Sequence, residues 1–208
     1  MRFSNLCLAS VALGLLLAGG SRTAHAELIT NGTFDTDLAG WTIGGDIDTT
    51  WVSGTAHIGQ PGTPGESIFE QSFDIPSGAE GLKISFDYEW QVMAPTVYED
   101  SFLAELIYES TSGTETVTLL DQNSNDGVFG TSIAFSSTIL LSDLDNSIDN
   151  GTIRFTLTEN NSPVGTRIEL DNVQVNPVPE PSTYAGLLGI TCVSLCAYGW
   201  RRKRQPAA

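Results

Sequence analysis

The sequence predicts an all-β chain: an antiparallel β-sandwich behind an N-terminal signal peptide, with one C-terminal transmembrane helix after it. Three observations carry this expectation. Between Glu27 and Asn176 no stretch sustains a 3.6-residue apolar period, whereas strict two-residue alternation recurs. Gly, Asn, Asp and Pro break the alternating runs at turn-like intervals. The long uncharged apolar runs are confined to the two ends of the chain.

Residues 1–26 read as a secretory signal peptide. Arg2 supplies the positive start, Leu6 to Ala18 an apolar stretch, and Ala24-His25-Ala26 the small-x-small pattern that signal peptidase reads before Glu27. The apolar stretch falls short of the roughly 18 residues that a membrane span needs. No Cys follows Leu15-Leu16-Leu17-Ala18-Gly19, so lipoprotein processing is not expected.

Residues 27–176 have the length of one domain, enough to bury about two-thirds of the unfolded surface without covalent staples. Cys7, Cys192 and Cys196 all lie outside it. A disulfide framework, a thiolate metal site and a cysteine nucleophile are therefore excluded from the domain. The clearest strand places Leu82, Ile84, Phe86, Tyr88, Trp90 and Val92 on one face and Lys83, Ser85, Asp87, Glu89 and Gln91 on the other. Phe102, Ala104, Leu106 and Tyr108 repeat the pattern, as do Ile153, Phe155 and Leu157 behind an Asn150-Gly151 turn signal. Weaker strands are expected near Trp51–Ile58, Ile68–Phe73, Thr116–Leu120 and Ile133–Leu140. A last one covers about Arg167–Val175. There Ile168 and Leu170 share one phase and Val173 and Val175 the other, which predicts a bulge at Asp171-Asn172.

Charge narrows the partners. Residues 27–178 hold three cations, Lys83, Arg154 and Arg167, against 24 carboxylates, a net −21 within a chain of net −16. Such a domain cannot neutralise phosphates, so nucleic-acid binding is excluded. It could attract divalent cations.

From Pro177 the composition changes. Residues 177–183 form a Pro-rich linker, and Val178-Pro179-Glu180-Pro181 is expected not to pair in a sheet because proline lacks a donor. Residues 184–200 carry no charge and would span about 26 Å as a helix, enough for a thin inner membrane. Residues 201–208 open with Arg201-Arg202-Lys203-Arg204, which the positive-inside rule keeps cytoplasmic. The ordered set of Pro179-Glu180-Pro181, apolar helix and terminal basic cluster resembles the PEP-CTERM sorting signal of bacterial exported proteins. That resemblance implies an exosortase, a membrane cysteine protease, that recognises the tripeptide and detaches the protein from its anchor. It also implies a diderm bacterium that makes extracellular polysaccharide.

The ends of the domain carry a second resemblance. Leu28-Ile29-Thr30-Asn31-Gly32-Thr33-Phe34-Asp35 with Gly40-Trp41, and Ile168-Glu169-Leu170-Asp171-Asn172-Val173-Gln174-Val175, are similar to the opening and closing strands of carbohydrate-binding modules of the galactose-binding-like jelly-roll type. The resemblance implies a jelly-roll β-sandwich whose first and last strands lie together and often hold a structural calcium. By position, Asp35 and Asp171 would be its carboxylate ligands, helped by carbonyls near Gly32; the alternative is that Asn31 and Asp35 make turn hydrogen bonds and Asp171 caps the bulge. Asp121-x-Asn123-x-Asn125-Asp126-Gly127 has the look of a cation loop, but its glycine is one place late and Ser132 stands where a glutamate is needed, so a solvated loop is expected.

Sugar binding needs exposed rings beside polar groups. Trp90, Tyr88 and Tyr108 share phase with core residues and are expected to pack, and Trp41 to plug the core. Trp51 and Tyr98 remain as candidate ligand-binding residues. Once the signal peptide is gone His57 is the domain's lone histidine, no Gly-x-Ser-x-Gly elbow exists, and neither a phosphate loop nor a dinucleotide fingerprint appears. The expectation is a non-catalytic surface or matrix protein that binds extracellular polysaccharide, with signal peptidase and exosortase as processing enzymes and the inner membrane as first anchorage. The alternatives are a purely structural or adhesive matrix protein and a carbohydrate-active enzyme.

Overall fold

The computed structural model of the chain describes residues 27–60, 62–92, 99–144, 148–160 and 166–179. Ten strands follow one another: β1 (Thr42–Gly45), β2 (Thr50–Val52), β3 (Thr55–Ile58), β4 (Gly65–Asp74), β5 (Ala79–Val92), β6 (Ser101–Ser110), β7 (Gly113–Asn123), β8 (Ile133–Leu140), β9 (Asn150–Glu159) and β10 (Thr166–Pro179). They form two five-stranded sheets, β1-β4-β9-β6-β7 and β2-β3-β10-β5-β8. Every ladder between named strands is antiparallel. Only β2–β3 and β6–β7 are hairpins within a sheet; every other connection crosses to the opposite sheet.

Alternation puts the core between the sheets. Leu82, Ile84, Phe86, Tyr88 and Trp90 of β5 meet Phe102, Ala104, Leu106 and Tyr108 of β6 and Ile153, Phe155 and Leu157 of β9, all buried. Phe155 sits at the centre, edge-on to Phe86 at 5.0 Å and parallel to Phe102 at 6.2 Å. Trp41 plugs the core as expected, stacked on Phe69 at 4.4 Å, with its indole N–H donating to Asn31 O at 3.2 Å. Trp90 is fully buried and donates to Gln122 Oε1 at 2.9 Å. Gly127 is a glycine for a reason of space, since a Cβ there would lie 2.8 Å from the Trp90 ring.

The phase change in the last strand is a bulge: the β10–β5 register slips between Asp171 and Gln174. Asn172 takes the left-handed conformation there, φ 52°, which its short amide tolerates better than most side chains.

The structure corrects three expectations. The run near Trp51–Ile58 is a hairpin and not one strand, because Ser53 (φ 51°) and Gly54 (φ 92°) form a two-residue turn with both φ angles positive. Leu28–Asp35 forms no strand. It does lie along β10, through Leu28 N to Val175 O and Val173 N to Gly32 O, both 2.9 Å, and a Cβ on Gly32 would collide with the Val173 carbonyl. Third, the prolines of the tail do pair. Pro177, Val178 and Pro179 stand opposite Leu82, Gly81 and Ala79, so β10 runs three residues into the expected linker. A proline lacks only its donor, and β3, which pairs no further along β10 than Leu170, leaves that side of the strand unladdered.

Among the described residues no helix is long and apolar enough to cross a membrane. The expected signal peptide, the 184–200 span, Glu180, Pro181, Tyr98 and the Arg201–Arg204 cluster lie outside the described residues.

Candidate functional site

The outer face of the β10 sheet collects polar side chains in rows that the register defines. Arg167 stands opposite Gln91; Glu169 lies between His57 of β3 and Glu89 of β5; Asp171 stands opposite Asp87. Two like-charged cross-strand pairs, Glu89–Glu169 and Asp87–Asp171, thus sit side by side, an arrangement that costs stability unless compensated. Compensation differs along the face. Arg167 Nη2 binds Glu169 Oε1 at 2.7 Å, His57 Nε2 lies 3.4 Å from the same oxygen, and Gln91 Nε2 donates to Glu89 Oε1 at 2.5 Å. His57 is buried, and that burial, then the Arg167 charge, push its pKa below the usual histidine value while Glu169 pulls the other way. It is a neutral, structural imidazole near pH 7.

The bulge end of the face is less well compensated. Asn172 shares its amide between Asp87 Oδ2 at 2.9 Å and Asp171 Oδ2 at 3.4 Å, and its backbone N–H donates to Asp171 Oδ1 at 2.7 Å. The Asp171 pKa is still raised, first by partial burial and then by the charges of Asp87 and Asp35. Asp35 itself accepts from Thr33 Oγ1 at 2.9 Å. One residue before it, Phe34 holds a positive φ of 48°, buries its ring and offers its carbonyl to the Trp51 indole N–H at 2.6 Å.

Of the four candidates named from sequence, Asp35 lies near enough for its charge to act on Asp171, and Trp51 bonds the carbonyl of Phe34, one residue before Asp35. Trp51 shares phase with inward-facing Ala56 and Leu170, yet on edge strand β2 its side is uncovered and 41% of it stays exposed. Tyr98, the fourth, lies outside the described residues. The Asp121–Gly127 loop is a turn: Asn123 Oδ1 accepts from the N–H groups of Asn125 and Asp126.

A second carboxylate group occupies the pole where β5, β7 and β9 end. Asp100 is fully buried and accepts from Asn160 N at 2.7 Å and Thr166 Oγ1 at 2.8 Å, while its own N–H donates to Ser124 Oγ at 3.1 Å. Glu159 is also buried. Its Oε1 accepts from Gln60 N at 2.9 Å, and its Oε2 has no hydrogen-bond partner among the described residues. Burial raises its pKa to about 7, with Asp100 adding to the rise and the backbone groups of Gln60 and Thr166 opposing it. Sequence reading missed Asp100, Glu159, Asp87, Glu89 and Glu169. Alternation gave the outward phase of Asp87 and Glu89, but which carboxylates oppose them depends on a register that only the fold supplies.

The two-sheet antiparallel frame defines the class: an all-β sandwich, joined to a C-terminal sorting signal. Residues 177–204 match the family model of the PEP-CTERM protein-sorting motif, so the chain carries that signal. No curated protein matches the chain in sequence. Among solved structures, the fold is shared with the C-terminal family 22 carbohydrate binding module of Clostridium thermocellum Xyn10B (TM-score 0.50, 9% identity, 74% of this chain and 96% of that one). It is shared as well with the enzymatically active domain of tailspike protein 4 of bacteriophage CBA120 (TM-score 0.50, 13% identity, 73% of this chain), of which this chain spans only 21%. A CBM4 structure matches at TM-score 0.47 and 20% identity over 72% of this chain and 99% of that one. Likeness at these identities speaks to fold alone.

Proposed function

We propose that the chain is an exported, exosortase-sorted, non-catalytic protein that binds polysaccharide at the bulge corner. One observation carries the reading: the exposed Trp51 indole bonds the Phe34 carbonyl, one residue before Asp35, whose charge acts on Asp171. A ring face stacks on the apolar face of a sugar, and carboxylates accept bonds from its hydroxyls. The sandwich fold supports this, since its solved counterparts include carbohydrate-binding modules. The sorting motif supports the route, from inner-membrane anchorage to cell surface or extracellular matrix. Tyr98 is carried forward as a second ring.

Calcium at Asp35 and Asp171 is proposed on electrostatic grounds. The charges of Asp87 and Asp35 both act on Asp171, and a hard cation would relieve that repulsion. The ligand set is incomplete as it stands. Among the described residues no group of three or more His, Cys, Asp or Glu side chains is placed to hold a metal ion. The carbonyls of Asn31, Gly32 and Phe34 already accept from Trp41, Val173 and Trp51. Calcium therefore enters as a stiffener of the corner and not as part of the binding chemistry.

The test is a glycan panel, including the polysaccharide of the source organism, probed with the mature domain and with Trp51→Ala and Tyr98→Ala. Binding that Trp51→Ala abolishes supports the reading. Binding to no glycan favours a structural or adhesive protein, and release of reducing ends favours an enzyme.

A further inference from the structure

The sorting motif begins inside the folded domain. The motif match opens at Pro177, and β10 stays paired with β5 through Pro179, the first residue of the Pro-Glu-Pro tripeptide. Pro177 is buried and Val178 and Pro179 are half-buried. On the far side β8 closes tightly on β5 at the same level, where a Cβ at Gly81 would come within 2.6 Å of Ile139 O. In the sequence only four residues, Glu180 to Thr183, then separate Pro179 from Tyr184, about 17 Å of fully extended chain. The rim here is acidic and exposed, with Asp74, Glu80, Asp143 and Asp149. A protease must thread several extended residues through its active site, and this geometry leaves it no free stretch before the tripeptide.

The same three residues are the weakest part of β10. Of Pro177, Val178 and Pro179 only Val178 has an N–H to donate. The ladder slips between Val178 and Pro179. Among the described residues, Leu28 is the last outside β5 to bond this end of β10, and it reaches Val175 and not further. An end held by few donors, with an irregular register and an edge to water, opens at low free-energy cost compared with the body of the sheet.

We propose that Pro177–Pro179 is a releasable latch: its pairing with Ala79–Leu82 covers the start of the sorting signal, and recognition requires that pairing to open. The partner is the membrane protease of the proposed sorting route, so the inference rests on that reading. Opening stops near Asn176, where β10 regains residues with full donor capacity, and the sandwich stays folded during processing.

The test follows conversion of the full-length chain from precursor to processed form in a host with an active exosortase and a substrate that host already processes. One variant inserts Gly-Ser-Gly-Ser between Val178 and Pro179, leaving the tripeptide whole but moving it off the strand. A second pairs Asn176→Cys with Lys83→Cys, outward-facing partners in the register, to staple β10 beside the latch. Insertion is expected to speed processing several-fold. The staple is expected to slow it several-fold, with reduction by dithiothreitol restoring the wild-type rate. Equal rates for wild type, insertion and staple, with all three showing the same thermal midpoint, would overturn the latch. If wild type and insertion both stay unprocessed while the host's substrate matures, the sorting reading fails, and the latch with it.

Discussion

The two carboxylate groups of this sandwich differ in burial and in bonding. At the pole, Asp100 and Glu159 are buried, and backbone N–H groups from two separate connections, those of Asn160 and Gln60, point at them. At the bulge corner, Asp87 and Asp171 share one amide, that of Asn172, while Asp35 accepts from the Thr33 hydroxyl and follows the Phe34 carbonyl that the exposed Trp51 indole binds. The two are separated by the five residue steps of β10 from Thr166 to Asp171, about 17 Å of strand. Composition alone treats them alike. Burial separates them, since a buried carboxylate must spend its acceptors on the protein whereas an open one can offer them to a ligand.

Breaking the pole should have the largest effect. Asp100→Ala removes the acceptor for Asn160 N and Thr166 Oγ1 in a dry site, and should cost about 3 kcal/mol in chemical denaturation. Glycan affinity of the folded fraction should not change.

Glu159 gives a pH signature. Its pKa rises from an ordinary 4.5 to about 7 in the folded state. The folded protein therefore binds more protons than the unfolded one between those values, and stability falls as pH rises through that window. The loss is on the order of 3 kcal/mol, complete above pH 7. Glu159→Gln should flatten the dependence, measured as urea midpoints at pH 5 and pH 8. His57 acts in the opposite sense. Its lowered pKa means stability is lost as pH falls through the ordinary histidine value, 6.5, toward the folded one.

At the corner the ordering reverses. Trp51→Ala should lower polysaccharide affinity at least tenfold, read by affinity electrophoresis, and lower the thermal midpoint only slightly because the ring is 41% exposed. The smallest effect concerns calcium. Asp171→Asn should leave stability nearly unchanged without calcium and remove any rise in the thermal midpoint that millimolar calcium gives the wild type. A wild-type midpoint indifferent to both calcium and chelator would remove calcium from the corner.

Much of the frame was legible in the sequence because alternation is a local signal. Leu82–Val92 showed its two faces outright, and the slip from Ile168 and Leu170 to Val173 and Val175 located the bulge. Trp51, Asp35 and Asp171 could be named as candidates only one at a time. What was not legible depends on pairing across distance. β1 is four residues with two glycines and no buried side chain, so it carried no periodic signal. Pro177–Pro179 looked unfit for a sheet because proline was judged by its missing donor and not by where the strand loses its neighbour. Asp100 could not be told from the other acids, since its partners come from residues 24 to 66 positions away.

The central claim, that the bulge corner is where polysaccharide binds, is tested most directly by acrylamide quenching of tryptophan fluorescence in the domain 27–179. Trp41 and Trp90 are buried, so quenching there reports on Trp51. Saturating polysaccharide should reduce the quenching constant in the wild type and leave it unchanged in Trp51→Phe. Undiminished quenching in a sample where the polysaccharide is demonstrably bound would contradict the account and place the site elsewhere on the sandwich.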